Sequence, residues 1–453
     1  MRLVVGDEVG LLKVLGVGSE WERSRDAAEA GGRKRSLKDA RGKVVNGRVV
    51  AQYGECAREQ GVEALTWADP RDWRRGVVWA TSGGAVQYAS QSGPALGAEG
   101  VEQWGDDVVQ SFSGLALSPD APCRGLEVLE GRLFSCNAKG ALQTTRFTPG
   151  PRAFEGAGAG AGAGEGASSE AVLEAGGEVS RMRRSPVSGL FATGGRENDL
   201  CLWDVERRAC SFRAKNVPVD SLEMRVPVWV TDFCFMPLES HGEGKMPPKS
   251  LSGAHPDVVV TCTGYSHVRV YDTRVRPRPV RDAFFGTATD LRQNNQSASS
   301  HHLNGIVAAD ASSVVVCSAA GDVFKVDLAT MKMAGRYKGF AGSVRSVDKH
   351  PDLPLIASVG LDRFVRVHHA ETREMLSCVY VKQRLRAVLF AGEQGKPAKE
   401  VDQAKRKRKQ RDAADEDTVT DMRADDLDDA DANALPPSEP RGSRRRVAKA
   451  GRS

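Results

Sequence analysis

Two short segments of this chain combine guanidinium, ammonium, amide and indole groups within seventeen residues. Their candidate binding residues are Arg213, Lys215, Asn216, Arg225 and Trp229. Arginine and tryptophan are the side chains that most often anchor interfaces, so this pattern predicts a ridge that binds a partner or RNA. The alternative is structural: Trp229 pins a loop between repeats and the basic side chains are only solvated.

A second basic stretch, CTGYSHVRVYDTRVRPRPVR (262–281), contains the candidates Tyr265, His267 and Arg269. Arg269 alternates with two valines, so we expect its side chain to point away from the strand. Further arginines line the connection that follows, which prolines interrupt: Arg274, Arg276, Arg278 and Arg281. A solvated edge is one interpretation of this stretch, and phosphate contact is the alternative, because each guanidinium offers two parallel donors to a phosphate.

Two further candidates, Arg345 and Arg363, fall at predicted turns that should share one face of the fold. Near the C-terminus, KRKRKQR has six basic residues in seven and predicts a nuclear localisation signal, with nonspecific RNA contact as the other use. The residues of this signal are Lys405, Arg406, Lys407, Arg408, Lys409 and Arg411.

Motifs for catalysis are absent from the sequence. It has no GxxxxGK[ST], GxSxG or HExxH pattern. The adjacent pairs His301-His302 and His368-His369 suit a shared metal poorly, because neighbouring side chains diverge in a strand or loop. We therefore expect no catalytic residue, no metal, no cofactor and no small-molecule substrate.

The elements that must position these residues are short apolar runs separated by turn residues. The unit ending in Trp203-Asp204 recurs with Tyr271-Asp272, Val326-Asp327 and His368-His369 at the same place. Similarity at a spacing of roughly 35–50 residues is typical of a propeller. The sequence thus predicts an all-β fold, a seven-bladed WD-repeat β-propeller.

Turn and closure positions extend this prediction. Ser358 and Asp362 stand where a WD repeat hydrogen-bonds its turn, with Thr193 and Glu197 as looser equivalents. We expect residues 385–390 to pair with the N-terminal strands and close the ring, which would hide the edge of the sheet.

The domain boundaries follow from composition. The propeller should span 1–391, with a flexible Gly/Ala-rich excursion at 150–177. The segment 392–453 has a basic run followed by ten acidic residues between 412 and 431, which predicts a disordered tail that carries the localisation signal.

Composition places the chain in a broad class. Among 453 residues, 64 basic and 59 acidic side chains nearly balance, and no apolar run reaches the ~18 residues that a membrane helix needs. Nine cysteines occur without a CxxC pair, which indicates free thiols in a reducing compartment. The N-terminus fits neither a signal peptide nor a transit peptide, so we expect a soluble intracellular protein without a membrane partner.

The chain resembles a nucleolar WD-repeat family of large-ribosomal-subunit assembly factors. The resemblance is carried by LVVGDEVGLLKV, FRAKNV, EMRVPVW, TCTGYSHVRVYD, KGFAGSVRSVDKHP and LIASVGLDRFVRV, and it covers most of 1–391. It implies a seven-bladed propeller, a lysine-rich nucleolar-targeting tail and a scaffold role in early large-subunit particles. It also implies that a AAA-type ATPase removes the protein during maturation. The Gly-Ala run, the insertion at 239–254 and the acidic tract depart from the family pattern.

Two functions from different classes follow. The first is a non-catalytic scaffold in nucleolar 60S biogenesis that binds pre-ribosomal proteins and pre-rRNA and supports rRNA processing. The second is a WD-repeat adaptor for chromatin or a ubiquitin ligase, which would bind a peptide at the central channel. The adaptor predicts an acidic or aromatic pocket at the channel mouth, whereas the scaffold predicts a basic side face.

Overall fold

The structure is a computed structural model, and it describes a defined part of the chain. The described residues are 2–17, 47–90, 95–96, 102–103, 109–150, 153, 169–237, 258–286 and 302–392, without 55, 59, 71, 113, 220 and 221. No helix among them is long and apolar enough to cross a membrane.

Within this part of the chain, the strands form seven four-stranded antiparallel sheets and one two-stranded sheet. The large sheets are the blades of a propeller, and in each blade the first strand lines the channel and the fourth lies at the rim. Blade 1 consists of β30 (Leu385–Phe390), β1 (Arg2–Asp7), β2 (Leu12–Gly16) and β3 (Arg48–Tyr53). Blade 2 consists of β4 (Val62–Trp67), β5 (Val77–Thr81), β6 (Val86–Ala89) and β9 (Val109–Phe112).

Blades 3 to 5 follow in chain order. Blade 3 consists of β10 (Cys123–Leu129), β11 (Arg132–Asn137), β12 (Ala141–Arg146) and β13 (Glu170–Glu174). Blade 4 consists of β14 (Val179–Arg184), β15 (Phe191–Gly195), β16 (Asn198–Asp204) and β17 (Ala209–Arg213). Blade 5 consists of β18 (Val230–Phe235), β19 (Val258–Thr263), β20 (His267–Asp272) and β21 (Arg281–Phe284).

Blades 6 and 7 complete the ring. Blade 6 consists of β22 (Leu303–Ala308), β23 (Ser313–Ser318), β24 (Val323–Asp327) and β25 (Lys332–Tyr337). Blade 7 consists of β26 (Val344–Lys349), β27 (Leu355–Gly360), β28 (Phe364–His369) and β29 (Met375–Tyr380). The small sheet pairs β7 (Ala95–Leu96) with β8 (Glu102–Gln103), and a 3-10 turn covers Trp73–Arg75. The predicted all-β, seven-bladed propeller is confirmed.

The apolar runs become strands because each blade is covered on both sides. Strands β23 and β27 are buried along their whole length, and both consist mainly of valine, leucine, isoleucine and small residues. β-branched side chains pack well on a pleated surface. The hydrophobic clusters lie between neighbouring blades, for example between blades 5 and 6. One continuous ring of cores therefore supports a domain of this length.

The ring closes by pairing the two ends of the propeller. Strand β1 lies between β2 and β30, with Leu3 opposite Phe390 and Val4 opposite Leu389. A buried ion pair stands beside this seam, where Lys13 Nζ lies 3.3 Å from Asp7 Oδ2 and donates to the Val381 carbonyl at 2.9 Å. The predicted closure by residues 385–390 is confirmed.

Part of the predicted flexible excursion at 150–177 belongs to a blade. Strand β13 lies within it and pairs with β12 as the outermost strand of blade 3. Without it, the rim of this blade would end one strand early and leave the β12 backbone unpaired. The Gly/Ala run itself lies outside the described residues.

Turns of the WD type recur as predicted. Trp203 Nε1 donates to Thr193 Oγ1 at 2.8 Å between neighbouring strands. Asp362 accepts from the Phe364 amide at 3.3 Å and pairs with Arg366 Nη1 at 2.5 Å. Asp362 is therefore a turn-forming residue, as expected.

The meander gives the ring two distinct faces. We call the end at which each channel-lining strand begins the entry face, and the other end the opposite face. The entry face carries the turns between second and third strands, such as 195–197, and the connections between blades, such as 214–229.

Three neighbouring blades are tied together at one buried carboxylate, Asp232. Its oxygens accept from Arg183 at 3.0 and 2.7 Å, from Arg181 at 3.2 Å and from the Ile306 amide at 3.3 Å. Burial raises the pKa of Asp232, but Arg183 and Arg181 more than offset this and hold the pKa below its ordinary value. The carboxylate thus joins blades 4, 5 and 6 in its charged form.

Replacing Asp232 should destabilise the folded propeller. Asp232→Ala leaves two guanidiniums facing the channel without their carboxylate and should lower the free energy of unfolding by about 3 kcal/mol in urea. Because the folded-state pKa is lowered, the wild-type contribution should persist at neutral pH and be lost only as the pH falls below about 4.

The matched control for that substitution is Asp204→Ala. Asp204 faces Arg207, whose side chain is 84% exposed, at 3.6 Å. Its removal should cost no more than about 1 kcal/mol. Equal losses for the two variants would contradict the assignment of Asp232 as the junction of three blades.

Candidate binding surface on the entry face

The connection from blade 4 to blade 5 is held against the propeller by backbone hydrogen bonds. The Ala214 amide donates to the Leu200 carbonyl at 2.8 Å, and the Lys215 amide donates to the Pro277 carbonyl at 2.9 Å. Farther along, the Glu197 amide donates to the Val228 carbonyl at 2.8 Å. Three anchors in sixteen residues (214–229) make this connection a fixed ridge rather than a free loop.

Asn216 is the polar centre of the ridge. Its Nδ2 donates to the Val226 carbonyl at 2.6 Å, and its Oδ1 accepts from the Val217 amide at 2.8 Å. The same oxygen accepts from Arg269 Nη1 at 3.3 Å. Asn216 thus joins the two arms of the ridge to blade 5, and its amide is occupied by the protein itself.

The expectation that Arg269 points away from its strand is wrong, since the residue is only 4% exposed. Strand β20 lies between β19 and β21, so a side chain off its face enters the space between blades. There Arg269 Nε lies 3.4 Å from Asp282 Oδ2, while His267 Nδ1 contacts Asp282 Oδ1 at 2.9 Å. Burial raises the pKa of Asp282, but His267 and Arg269 more than offset this and lower it.

Asn216, His267 and Arg269 therefore position the ridge, and a partner is not needed to satisfy them. Their assignment as binding residues stays a prediction, although each has a partner within the protein. The physical reason is burial: a guanidinium between blades needs a carboxylate and a carbonyl within the protein. Sequence alternation could not reveal that Asp282 and Asn216 would supply them.

The three basic residues of the segment 213–229 remain on the surface. Arg213 and Lys215 are exposed. Arg225 is also exposed, at 63% of its side chain, but pairs with Glu197 Oε2 at 3.0 Å. An exposed pair of this kind is weak, so Arg225 can exchange Glu197 for a partner.

Trp229 ends the ridge and is packed among aromatic and cationic groups. His302 stacks on it, with ring centroids 5.8 Å apart and planes inclined by 19°. Tyr265 meets it edge-on at 6.1 Å, and the Arg196 guanidinium lies 5.9 Å from its centroid. A Cβ built on Gly264 would overlap the indole, which explains the glycine in the TGY sequence.

A depression of about 720 Å³ opens beside Trp229 at the mouth of the channel on the entry face. We call it the mouth cavity. Its charged and aromatic lining residues are Asp120, Arg124, Lys139, Glu178, Arg196, Trp229, His302 and Arg345. Of the predicted residues, the fold brings Trp229, which precedes blade 5, and Arg345, in blade 7, to this same cavity.

Lys139, Arg196 and His302 are members of this surface that sequence reasoning missed. Lys139 and Arg196 occupy the same turn, between second and third strands, in two consecutive blades. Aligning NAKG with GGRE at these turns could have found them. For His302, the sequence pattern bears only on metal binding, to which the His301-His302 pair is poorly suited.

Most cations that line the mouth cavity have no carboxylate partner among the described residues. Arg124 is 3.6 Å from Glu63, but no carboxylate among the described residues lies within ion-pair distance of Lys139, Arg196 or Arg345. These three side chains belong to exposed residues. They form a positive rim that the described chain does not neutralise.

Arg363 lies on the same face but outside the mouth cavity. It is exposed, and its φ of 68° shows that it serves a tight turn in blade 7. Its carbonyl accepts from the Val381 amide at 3.0 Å. The expectation that Arg345 and Arg363 share a face agrees with this geometry, although the cavity includes only Arg345.

The arginines that follow Tyr271 mostly bind the protein itself. Arg274 forks onto Asp272 at 2.9 and 2.8 Å. Arg276 donates to the Pro279 carbonyl at 3.0 Å, and Arg281 donates to the Leu328 carbonyl at 2.6 Å. This connection is closed by its own carbonyls, so a phosphate would have to compete with them.

His368 and His369 have structural roles. His368 is buried, and its Nε2 lies 3.0 Å from the Lys338 carbonyl. His369 Nδ1 accepts from the Glu371 and Thr372 amides at 3.2 Å each. No group of three metal-ligating side chains occurs among the described residues, and His301 lies outside them with the whole basic run at 405–411.

Similarity to known proteins was found in two of three comparisons. No family model matches the chain. The WD40 propeller domain of Doa1 superimposes with a TM-score of 0.46 at 14% identity, over 72% of this chain and 83% of that one. The "Ribosome biogenesis protein nsa1" of Schizosaccharomyces pombe is 24% identical over 413 residues, 87% of this chain and 89% of that protein.

Higher identity is found with animal proteins. "WD repeat-containing protein 74" of Bos taurus is 32% identical over 351 residues, covering 75% of this chain and 74% of the relative. The Homo sapiens protein of the same name matches with the same identity and coverage. The match extends over most of both chains, as the FRAKNV, EMRVPVW and TGYSHVRVYD segments predict. The chain belongs to the family of WD repeat-containing protein 74.

Proposed function

We propose that this chain is a non-catalytic scaffold in ribosome biogenesis, acting on the large subunit in the nucleolus. Relatives named as ribosome biogenesis proteins support the process. The observation that carries the binding role is the unpaired basic rim on the entry face, next to a fixed ridge with exposed Arg213 and Lys215. Phosphate contacts from such a surface position a protein on RNA, and tryptophan adds contact area.

Its partners would be pre-ribosomal proteins and pre-rRNA, and its binding would support rRNA processing. A AAA-type ATPase is proposed as the factor that releases it, as the family resemblance implies. Exposed Val219, Leu222 and Met224 on the ridge supply the apolar contact that a protein partner would use. No cofactor or small-molecule substrate enters this proposal.

The second candidate is an adaptor for chromatin or a ubiquitin ligase that binds a peptide at the channel. The aromatic wall of Trp229 and His302 at the mouth is the observation in its favour. Against it, Asp120 and Glu178 are outnumbered at the mouth by four basic side chains. A basic tail or an arginine-containing peptide would be repelled there, so the scaffold is the better-supported function.

Charge reversal on the entry face should detach the protein from pre-ribosomal particles. In Arg213→Glu, Lys215→Glu, Arg345→Glu, three exposed cations become anions and repel phosphate. We expect the fraction that co-sediments with particles in a sucrose gradient to fall at least fivefold, with unchanged unfolding in urea.

A control of equal charge change lies on the opposite face. Arg132, Arg146 and Lys332 are exposed there, at the ends of strands in blades 3 and 6. The variant Arg132→Glu, Arg146→Glu, Lys332→Glu should co-sediment as the wild type does. If both variants lost binding equally, net charge rather than the entry face would be responsible.

The basic run at 405–411 should direct the protein to the nucleus and nucleolus. Replacing its six basic residues by glutamine removes the charge that an import receptor or RNA would bind. A fluorescent fusion of the full chain should then lose nucleolar accumulation in living cells. Replacing six basic residues elsewhere in the tail and at its end, Lys396, Lys399, Arg423, Arg441, Lys449 and Arg452, is the control and should leave localisation unchanged.

A further inference from the structure

The mouth cavity has the features of a ligand site rather than of a gap between turns. Five blades contribute to it: Lys139 comes from blade 3, Arg196 from blade 4, Thr231 from blade 5, His302 from the connection before blade 6 and Arg345 from blade 7. A volume of about 720 Å³ falls in the range of sites that bind small ligands or short segments of a polymer.

Charge is the first clue to the occupant. The three exposed rim cations have no carboxylate within ion-pair distance among the described residues, whereas the less exposed Arg183 and Arg269 pair with Asp232 and Asp282. Unpaired cations grouped around a cavity repel one another, and a ligand with several negative charges relieves this repulsion. The ligand should therefore carry several negative charges.

Aromatic groups are the second clue. Trp229 and His302 form one wall of the cavity, with their planes nearly parallel. The wall is rigid, because Gly264 and Tyr265 support the indole from the blade 5 side. Aromatic walls beside phosphate-binding cations are the arrangement by which proteins bind unpaired nucleotides.

An acidic peptide fits the lining less well. Peptide recognition uses apolar pockets for alternate side chains or a free strand edge for backbone pairing. The aliphatic side chains of the lining are Ala138 and Val179, and Val179 is only 2% exposed. Its strand β14 pairs with β15 on one side and has its other edge toward the channel, so the mouth offers a peptide charge and one strand edge but no apolar pockets.

A double helix fits less well than a single strand. Duplex RNA is recognised across its grooves by surfaces that follow two backbones. Here the cations surround a concave mouth, and bases must leave a helix before they can reach a recessed aromatic wall. We propose that the mouth cavity binds an unpaired stretch of RNA, with phosphates at Lys139, Arg196 and Arg345 and a base against Trp229 and His302. This inference rests on the proposed function and names the ligand class of the same face.

The test measures RNA binding by the purified full chain. A fluorescein-labelled 12-nucleotide oligouridine is titrated by anisotropy, beside a 12-base-pair RNA duplex. The variant Arg196→Glu, Arg345→Glu should bind oligouridine at least tenfold more weakly, and its log-log salt slope should be shallower by ~1.4, about 0.7 for each lost phosphate contact.

The matched control is Arg132→Glu, Arg146→Glu, which has the same charge change on the opposite face and the same basic tail. It should bind oligouridine as the wild type does. Equal affinity of the two variants for oligouridine would overturn the proposal, as would wild-type affinity for the duplex equal to that for the single strand.

Photocrosslinking locates the base independently of affinity. Oligouridine with 5-iodouridine should crosslink to Trp229 or His302, identified by mass spectrometry of the digested complex. Crosslinks confined to the tail would overturn the proposal, and so would displacement of the RNA by an equimolar glutamate decapeptide. If Arg196→Glu, Arg345→Glu bound oligouridine as the wild type does while the triple entry-face variant still failed to co-sediment with particles, only this inference would be wrong. If the triple entry-face variant co-sedimented as the wild type does, the proposed function would be wrong.

Discussion

The whole structure depends on the pairing of β1 with β30, which joins the beginning of the propeller to its end. This pairing places the innermost strand of blade 1 beside the three strands from the N-terminus. It also lets blade 1 pack against blade 7, where Leu3 and Val5 share a core with Val359 and Val367. In a propeller each blade buries its faces only against neighbours, so an open ring would expose two apolar faces at once. The buried Lys13–Asp7 pair at the seam adds directional bonds that an apolar contact alone cannot give.

In a closed ring, every channel-lining strand begins on the same face, the entry face. Turns from consecutive blades then lie next to each other although they are far apart in sequence. This is how Lys139, Arg196 and Arg345 come to surround a single cavity. A loop in an unclosed array would have no such neighbours.

The polar residues of blades 4 and 5 divide into two groups with different physical roles. Asn216, Asp282 and His267 bind one another around the buried guanidinium of Arg269, and they fix the course of the ridge. Lys139, Arg196 and Arg345 are exposed, and no carboxylate among the described residues lies within ion-pair distance of them. The first group makes the surface rigid, and the second group supplies the charges that a partner would bind. A preorganised surface loses less conformational entropy on binding, which favours tight association.

The fold could be predicted from the sequence because its signals are local and repeated. Apolar runs, glycine turns and the Trp203-Asp204 position set strand length and blade number, and residues 385–390 had no partner other than the N-terminal strands. The exception was β13, whose sequence EAVLE follows a Gly/Ala run and shows little alternation. It is a strand because β12 offers it an edge, which is a tertiary effect.

The composition of the site could be predicted only in part. The sequence by itself determined which segments are basic and aromatic, and it identified Trp229 and Arg345 as candidates. Only the tertiary structure decided which cations are available, because that depends on whether a carboxylate from another strand or blade reaches them. Arg269 lies opposite Asp282 of the neighbouring strand and is buried, whereas Arg345 has no carboxylate within ion-pair distance among the described residues and is exposed. The sequence specifies the charged residues, but whether a charge is neutralised depends on distances in the folded protein.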